Sequence, residues 1–246
     1  MDKTGKIFVV GIGPGNIEHM TFEARNAIEK SDVIVGYKTY VDLIEDIIRD
    51  KEVASTGMKK EKERCEEALK YAEEGNTVSL ISSGDAGVYG MAGIILEIVF
   101  KSKSSVEVEV VPGITAANAA AASLGAPIMH DYVTISLSDL LTDWNLIEKR
   151  LHCAGEGDFV VCLYNPKSKG RQKEIEKARE ILLKYKKNDT LVGIVRNAKR
   201  KGESCVITTL EDMLKYDIDM FTTIIVGNSH TYMAKGKMIT PRGYAL

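Results

Sequence analysis

Lys6-Ile-Phe-Val-Val-Gly-Ile-Gly-Pro-Gly-Asn16 is the stretch whose reading decides the fold. Four apolar, mostly β-prone residues (7–10) run straight into a glycine-dense bend, the pattern of a buried strand that stops abruptly. In open α/β sheets such a bend lies at the carboxyl edge, where ligands bind. A dinucleotide fingerprint is the first comparison, and the spacing rejects it. Gly11, Gly13 and Gly15 bring the third glycine one residue early, and Asn16 stands in its place. Pro14 removes an N–H from a turn whose usual task is to offer such groups to phosphate. A Rossmann unit also needs an acid at the end of its second strand. The next strand candidate, 33–37, has Asp32 at its start and no acid at its end. The turn resembles a nucleotide loop but lacks a phosphate cradle.

Outward from this turn, strand and helix patterns alternate. The first half predicts strands at 7–10, 33–35, 78–81 and 106–111, with helices at 20–30, 40–49, 60–75, 91–100 and 114–124. Thr21 is a candidate N-cap, and Gly75 a left-handed C-cap. The second half predicts strands at 132–136, 158–164, 190–195, 204–208 and 222–226, with helices at 145–151, 172–185 and 210–215. The alternation predicts an α/β protein with two sheets. The character changes near Gly125-Ala-Pro127, which places one α/β domain at 1–125 and a second at 126–246.

Composition bounds the function. The 246 residues are 44% hydrophobic and 28% charged, and the net charge of −2 gives no global reason to expect nucleic acid. Cys65, Cys153, Cys162 and Cys205 are far apart, with no CxxC or Cys/His cluster, so no metal site is expected. Unpaired buried thiols in a reducing cytoplasm are the expectation. The small-and-apolar region 108–129 is broken by Glu109, Pro112, Asn118 and Pro127, so no membrane span is expected.

Three turns follow apolar strands in the first half: 11–16, 82–90 and 112–116. On a parallel sheet all three emerge at the carboxyl edge and should converge. In the second turn Asp85 sits among Gly84, Gly87 and Gly90, either capping the next helix or accepting hydrogen bonds from a ligand. Thr115 in the third turn carries the same two readings. Two basic loops follow apolar strands: Tyr164 to Arg171, with Lys167, Lys169 and Arg171, and Arg196 to Gly202. They are either solvated turns or recognition sites for carboxylate or phosphate. His130 next to Asp131 is a candidate general base, although neighbours in an extended segment point opposite ways. No GxSxG, HExxH or GK[ST] signature is present.

With these loops in place, the sequence resembles the tetrapyrrole (uroporphyrinogen and precorrin) methyltransferase family. The resemblance rests on Val10-Gly-Ile-Gly-Pro-Gly15, Ser82-Ser-Gly-Asp85 with Val88-Tyr89-Gly90, and Val110-Val-Pro-Gly-Ile-Thr-Ala116. Within the family, Ile135-Ser-Leu-Ser-Asp-Leu-Leu141, Tyr164-Asn-Pro166, Gly193-Ile-Val-Arg-Asn197 and Thr240-Pro-Arg-Gly-Tyr244 are similar to the precorrin-3B C17-methyltransferase branch. Asp143 before Trp144 departs from that pattern, where proline is expected.

The resemblance implies two α/β domains, a mainly parallel N-terminal sheet and a mixed C-terminal one, with the active-site cleft between them. It implies a homodimer that uses S-adenosylmethionine to methylate C17 of a carboxylate-rich corrin precursor with ring contraction, in cobalamin synthesis; the cytoplasmic expectation comes from the sequence itself. Whether that substrate already holds cobalt stays open. Donor contacts carried across by motif are Pro14, Gly84, Asp85, Val88, Thr115, Ala116, Leu163, Asn197 and Ala198. Gly11, Gly13, Gly15, Lys167, Arg171 and Arg196 are expected to face the substrate. Asp85, His130 and Ser136 are the candidates for moving protons. Two other readings stand beside this one: a methyltransferase of the same fold with a different acceptor, such as a diphthine-type enzyme, and a nicotinamide- or flavin-binding oxidoreductase.

Overall fold

A computed structural model describes residues 5–57, 60–168 and 170–245. The chain divides into two compact units, 1–116 and 117–246.

The first unit is built from β1 (Lys6–Gly11), α1 (Phe22–Lys30), β2 (Val33–Tyr37), α2 (Lys38–Val41), β3 (Glu52–Thr56), α3 (Glu61–Glu73), β4 (Thr77–Ser82), α4 (Ala92–Ser102) and β5 (Glu107–Val111). Its five strands form a parallel sheet in the order β3-β2-β4-β1-β5. Alternation along the strands sends side chains to two cores. Ile7, Val9, Val33, Val35 and Leu80 pack with Cys65, Leu69 and Ile95 of α3 and α4. Val10, Ile34, Ile81 and Val111 pack on the other face with Ala24 and Ile28 of α1. Thr21 caps α1, its Oγ1 accepting from the Ala24 N–H at 3.0 Å. Gly75, at φ +93°, lies just past the end of α3. Both caps are where the sequence puts them.

The second unit comprises α5 (Ala116–Leu124), which starts on the last residue of the first unit, β6 (Gly125–Ala126), β7 (Tyr132–Ser136), α6 (Trp144–Glu156), β8 (Val160–Tyr164), α7 (Glu174–Leu182), β9 (Leu191–Arg196), β10 (Ser204–Thr209), β11 (Thr222–Val226), β12 (Tyr232–Ala234) and β13 (Lys237–Ile239). The mixed sheet runs β10-β9-β11-β8-β7, and β12-β13-β6 make a small third sheet. Helices α6 and α7 cover one face, through Ile147, Leu151, Ile175 and Leu182 against Val161, Leu163 and Ile194. Helix α5 covers the other, with Ala117, Ala120, Ala121 and Leu124 on Val160, Cys162, Val195 and Ile225. It lies close because its side chains are small and because β9 carries Gly193. A Cβ built there would stand 2.3 Å from Leu124 Cδ1 and 3.0 Å from Leu124 Cγ.

This packing explains the domain boundary. The alanine helix packs on the second sheet, so the contact-based division falls at its first turn, between 116 and 117, whereas the composition change lies at 125/126. The edge strand β3 and the short β6, β12 and β13 carry too little apolar patterning to stand out in the sequence. The helix expected at 210–215 is a single 3₁₀ turn, Met213–Lys215. Of the thiols, Cys65 and Cys162 are buried, which pushes each up to about 12, whereas Cys153 and Cys205 are exposed.

At the amino end of β8, Asp158 adopts φ +51° and accepts from the Ser229 N–H and Oγ, the latter at 2.6 Å. Lys186, its side chain 1% exposed, donates to Asp158 Oδ1 at 3.3 Å and to the Phe159 carbonyl at 2.9 Å.

Candidate active site

In the first unit the strand register sets three turns side by side. Gly11 pairs with Ser82, and Val10 with Val111, so β1, β4 and β5 end level. The turns then bond to one another. The Ile12 N–H donates to the Ser82 carbonyl at 2.9 Å, Gly13 N–H to Gly84 O at 3.0 Å, and Gly84 N–H to Gly13 O at 2.8 Å. Asp85 ties in the third turn: Oδ1 accepts from the Gly87 N–H at 2.8 Å and Oδ2 from the Gly113 N–H at 3.0 Å. This contact demands glycine on both sides. A Cβ at Gly113 would meet Gly84 O at 2.2 Å and Gly11 O at 2.5 Å; one at Gly11 would meet Gly84 O at 2.8 Å.

The first turn therefore has few donors to give. Ile12 and Gly13 direct their N–H groups to protein carbonyls and Pro14 has none, so a pyrophosphate finds no cradle here. That removes the footing of the nicotinamide or flavin reading. Gly84 is buried at φ +69°, and a Cβ built on it would be in van der Waals contact with the third turn, 3.8 Å from Ile114 O and from Ala116 N.

In the second unit β7, β8 and β9 also end level. Ser136 pairs with Tyr164, and β11 lies antiparallel between β8 and β9, with Thr222 opposite Arg196. Two residues just past this edge, Asn165 and Asn197, take left-handed φ values of +51° and +52°, which asparagine tolerates. Asn165 Nδ2 donates to Ser136 Oγ at 2.9 Å, and the Ser138 N–H donates to the same oxygen at 3.2 Å. Arg171 braces this group, donating from Nη2 to the Asn165 carbonyl at 2.7 Å and from Nη1 to Ser138 Oγ at 3.2 Å. The Tyr164 hydroxyl accepts from the Ala117 N–H, at the start of α5, at 2.8 Å.

Residues 6–214 match the family model for tetrapyrrole (corrin/porphyrin) methylases. The chain belongs to the tetrapyrrole methylase family. It is 53% identical over 238 residues to the probable cobalt-factor III C(17)-methyltransferase of Salmonella typhimurium, covering 97% of this chain and 99% of that one. It is 54% identical to the cobalt-factor III methyltransferase of Priestia megaterium, covering 98% of this chain but 45% of that longer protein. Among solved structures, the methyltransferase CobJ superposes with a TM-score of 0.90 at 34% identity, over 96% of this chain and all of that one. The uroporphyrin-III C-methyltransferase of Thermus thermophilus complexed with S-adenyl homocysteine shares the fold, with a TM-score of 0.70 at 22% identity over 91% and 97% of the chains.

In this tetrapyrrole methylase, Asp85 does not cap the following helix, which begins at Ala92 after Met91. Its carboxylate accepts two main-chain N–H groups instead, which makes it an organiser of turns. Gly11, Gly13 and Pro14 are buried, and the bareness of the two glycines serves neighbouring turns, or His19 in the case of Gly13, more than a flat ligand. Gly15, half-buried, and Val88, Thr115 and Ala116 lie in the turns around them. Leu163 is fully buried in the α6/α7 core. Asn197 and the half-buried Ala198 follow β9.

His130 is displaced. It precedes the amino end of β7, six residues from Ser136, or about 20 Å along an extended strand. Its Nδ1 accepts the Asp131 main-chain N–H at 2.7 Å and lies 3.4 Å from the Asp131 carboxylate. Of the basic residues, Arg171 is turned inward, and Arg196 Nε donates to Asp219 at 2.7 Å. Burial pushes the Asp219 carboxyl up, but hydrogen bonds from Arg196, the Phe221 N–H and Thr222 outweigh it and hold the group below the usual aspartate range. Lys167 forms no hydrogen bond or ion pair among the described residues; Lys169 lies outside them. Sequence reasoning overlooked Tyr164, Asn165 and Ser138 as a bonded group. The signal available was an asparagine before Pro166, directly after a strand.

Proposed function

We propose that this chain transfers a methyl group from S-adenosylmethionine to C17 of cobalt-factor III, with ring contraction, in cobalamin biosynthesis. The observation that carries the reading is the knot of three bonded turns at the first sheet's carboxyl edge, whose first turn offers no phosphate cradle. The 53% identity to a full-length relative of that name supports the acceptor. When bound, S-adenosylmethionine supplies an already activated methyl group, so the protein's work is alignment rather than nucleophilic attack. Asp85 holds the turns of Gly84, Val88 and Thr115 in register. Ser136, fixed by Asn165, is the proton-handling candidate left at the second unit's edge; Asp85 is engaged by main chain and His130 lies at the other end of β7. Lys167 is the cation we assign to a substrate carboxylate.

We further propose that the enzyme works in the cytoplasm as a homodimer. No helix among the described residues is long and apolar enough to cross a membrane. Phe100, 84% exposed on α4, with Leu96 and the edge-strand residue Val110, offers an apolar strip for a second copy.

Incubating the protein with S-adenosylmethionine and cobalt-factor III should yield a product heavier by one methyl group. Absence of both transfer and calorimetric S-adenosylhomocysteine binding would overturn the reading. Lys167→Gln should raise KM for the tetrapyrrole about fivefold, the worth of one half-exposed ion pair, with donor affinity unchanged.

A further inference from the structure

We infer that Tyr164 is a positioning residue for the methyl donor: its hydroxyl fixes the first turn of α5, and with it the Thr115-Ala116 turn. The inference rests on the donor reading above. Helix α5 reads Ala-Ala-Asn-Ala-Ala-Ala-Ala-Ser-Leu, so little in its own side chains can anchor its start. The first N–H groups of any helix lack partners within it. Ala117 is 1% exposed, which denies its N–H a compensating water. That N–H is one of the two that Thr115, acting as N-cap, would take, and it donates instead to Tyr164 Oη at 2.8 Å.

Tyr164 is itself well held. Its ring packs on the core of Ala117, Ala120 and Cys162. Its carbonyl accepts from the Leu137 N–H at 2.9 Å, and the next residue is turned by Ser136 and Arg171. A rigid strand end thus carries the acceptor that sets where α5 begins. Thr115 and Ala116 precede that bond directly, so a shift of α5 moves them.

Tyr164→Phe keeps the ring and deletes the acceptor, stranding a buried donor. S-adenosylhomocysteine should bind about tenfold more weakly by calorimetry. At saturating donor, kcat and the tetrapyrrole KM should stay within about twofold of the parent. Unchanged donor affinity would overturn the inference, as would a collapse of kcat with donor affinity intact, which would mean that Tyr164 touches the acceptor. If the phenylalanine variant does not fold, fluorotyrosines placed at 164 provide a graded series. Each added fluorine makes the oxygen of the neutral phenol a poorer acceptor, so at a pH below the phenol's own pKa the donor Kd should climb stepwise; a flat series overturns the inference. A parent protein that fails to bind S-adenosylhomocysteine defeats the donor reading itself. A parent that binds, with a variant equal to it, defeats only the role of Tyr164.

Discussion

Gly113→Ala should abolish measurable donor binding while leaving a folded protein. The added Cβ would lie 2.2 Å from one main-chain oxygen and 2.5 Å from another, Gly84 and Gly11. Neither can swing aside as a side chain would, so the third turn must lift from the other two. Lifting breaks the Gly113 N–H bond to Asp85 and opens the knot. Overpacking of this kind costs about 3 kcal/mol of folding stability, and the donor affinity is lost because the three turns no longer meet. The two cores of the first sheet draw Ile12 and Ala86 from the turns but are otherwise built from its strands and helices, so secondary structure should persist with a lowered Tm. Calorimetry with S-adenosylhomocysteine and a thermal melt check both halves; affinity within threefold of the parent would refute the knot as the donor site's frame. Gly93→Ala is the control. It sits in α4 with open space around it and should be neutral or slightly stabilising.

Asp158→Ala should destabilise the second unit markedly. It strands the Lys186 ammonium in the interior and releases Ser229. Breaking a fully buried pair costs 3–5 kcal/mol, and because the Asp158 side chain is 41% exposed, about 2 kcal/mol is expected here. The pH dependence has two limbs. Burial pushes Asp158 up, but Ser229 and Lys186 outweigh it and hold its carboxyl below the usual aspartate range. Its stabilisation is therefore full above that range and fades as pH falls through it, a limb the variant should lose. Burial pulls Lys186 below the ordinary lysine range, against the opposing pull of Asp158. Without Asp158 it falls further. The unfolded chain then binds the extra proton across a wider window, and the variant's stability should rise with pH. Urea melts at pH 4, 7 and 9.5 should show the deficit largest at pH 7 and smaller toward both extremes; a constant deficit would mean that the pair is not the cause.

The fold was legible where pattern and burial coincide. Ile7 to Val10 and 222–226 read as strands because buried, mostly β-branched runs admit little else, 132–136 reads so by its β-prone residues although only Ile135 is buried, and Thr21 and Gly75 marked helix ends by their chemistry. The convergence of three turns followed from parallel strands alone. What lay hidden depended on partners distant in sequence. Asp85 looks like a cap until Gly113, 28 residues on, is seen to donate to it. Arg171 looks like a ligand's arginine until Ser138 and Asn165 take its two terminal nitrogens. His130 looked promising beside Asp131, yet strand direction carries it to the far edge. Loop chemistry was readable as residue types; direction and partner were not.

The contact between Gly193 and Leu124 reaches beyond this one chain. Helix α5 rests on β9 with no slack, so the two positions share one volume. A relative that gains a side chain at 193 must give up bulk at 124 or let the helix ride higher on the sheet. The pair should change in concert as the family diverges, large against small, and a Gly193→Ala loss should be restored by Leu124→Val more fully than by any change elsewhere on the helix.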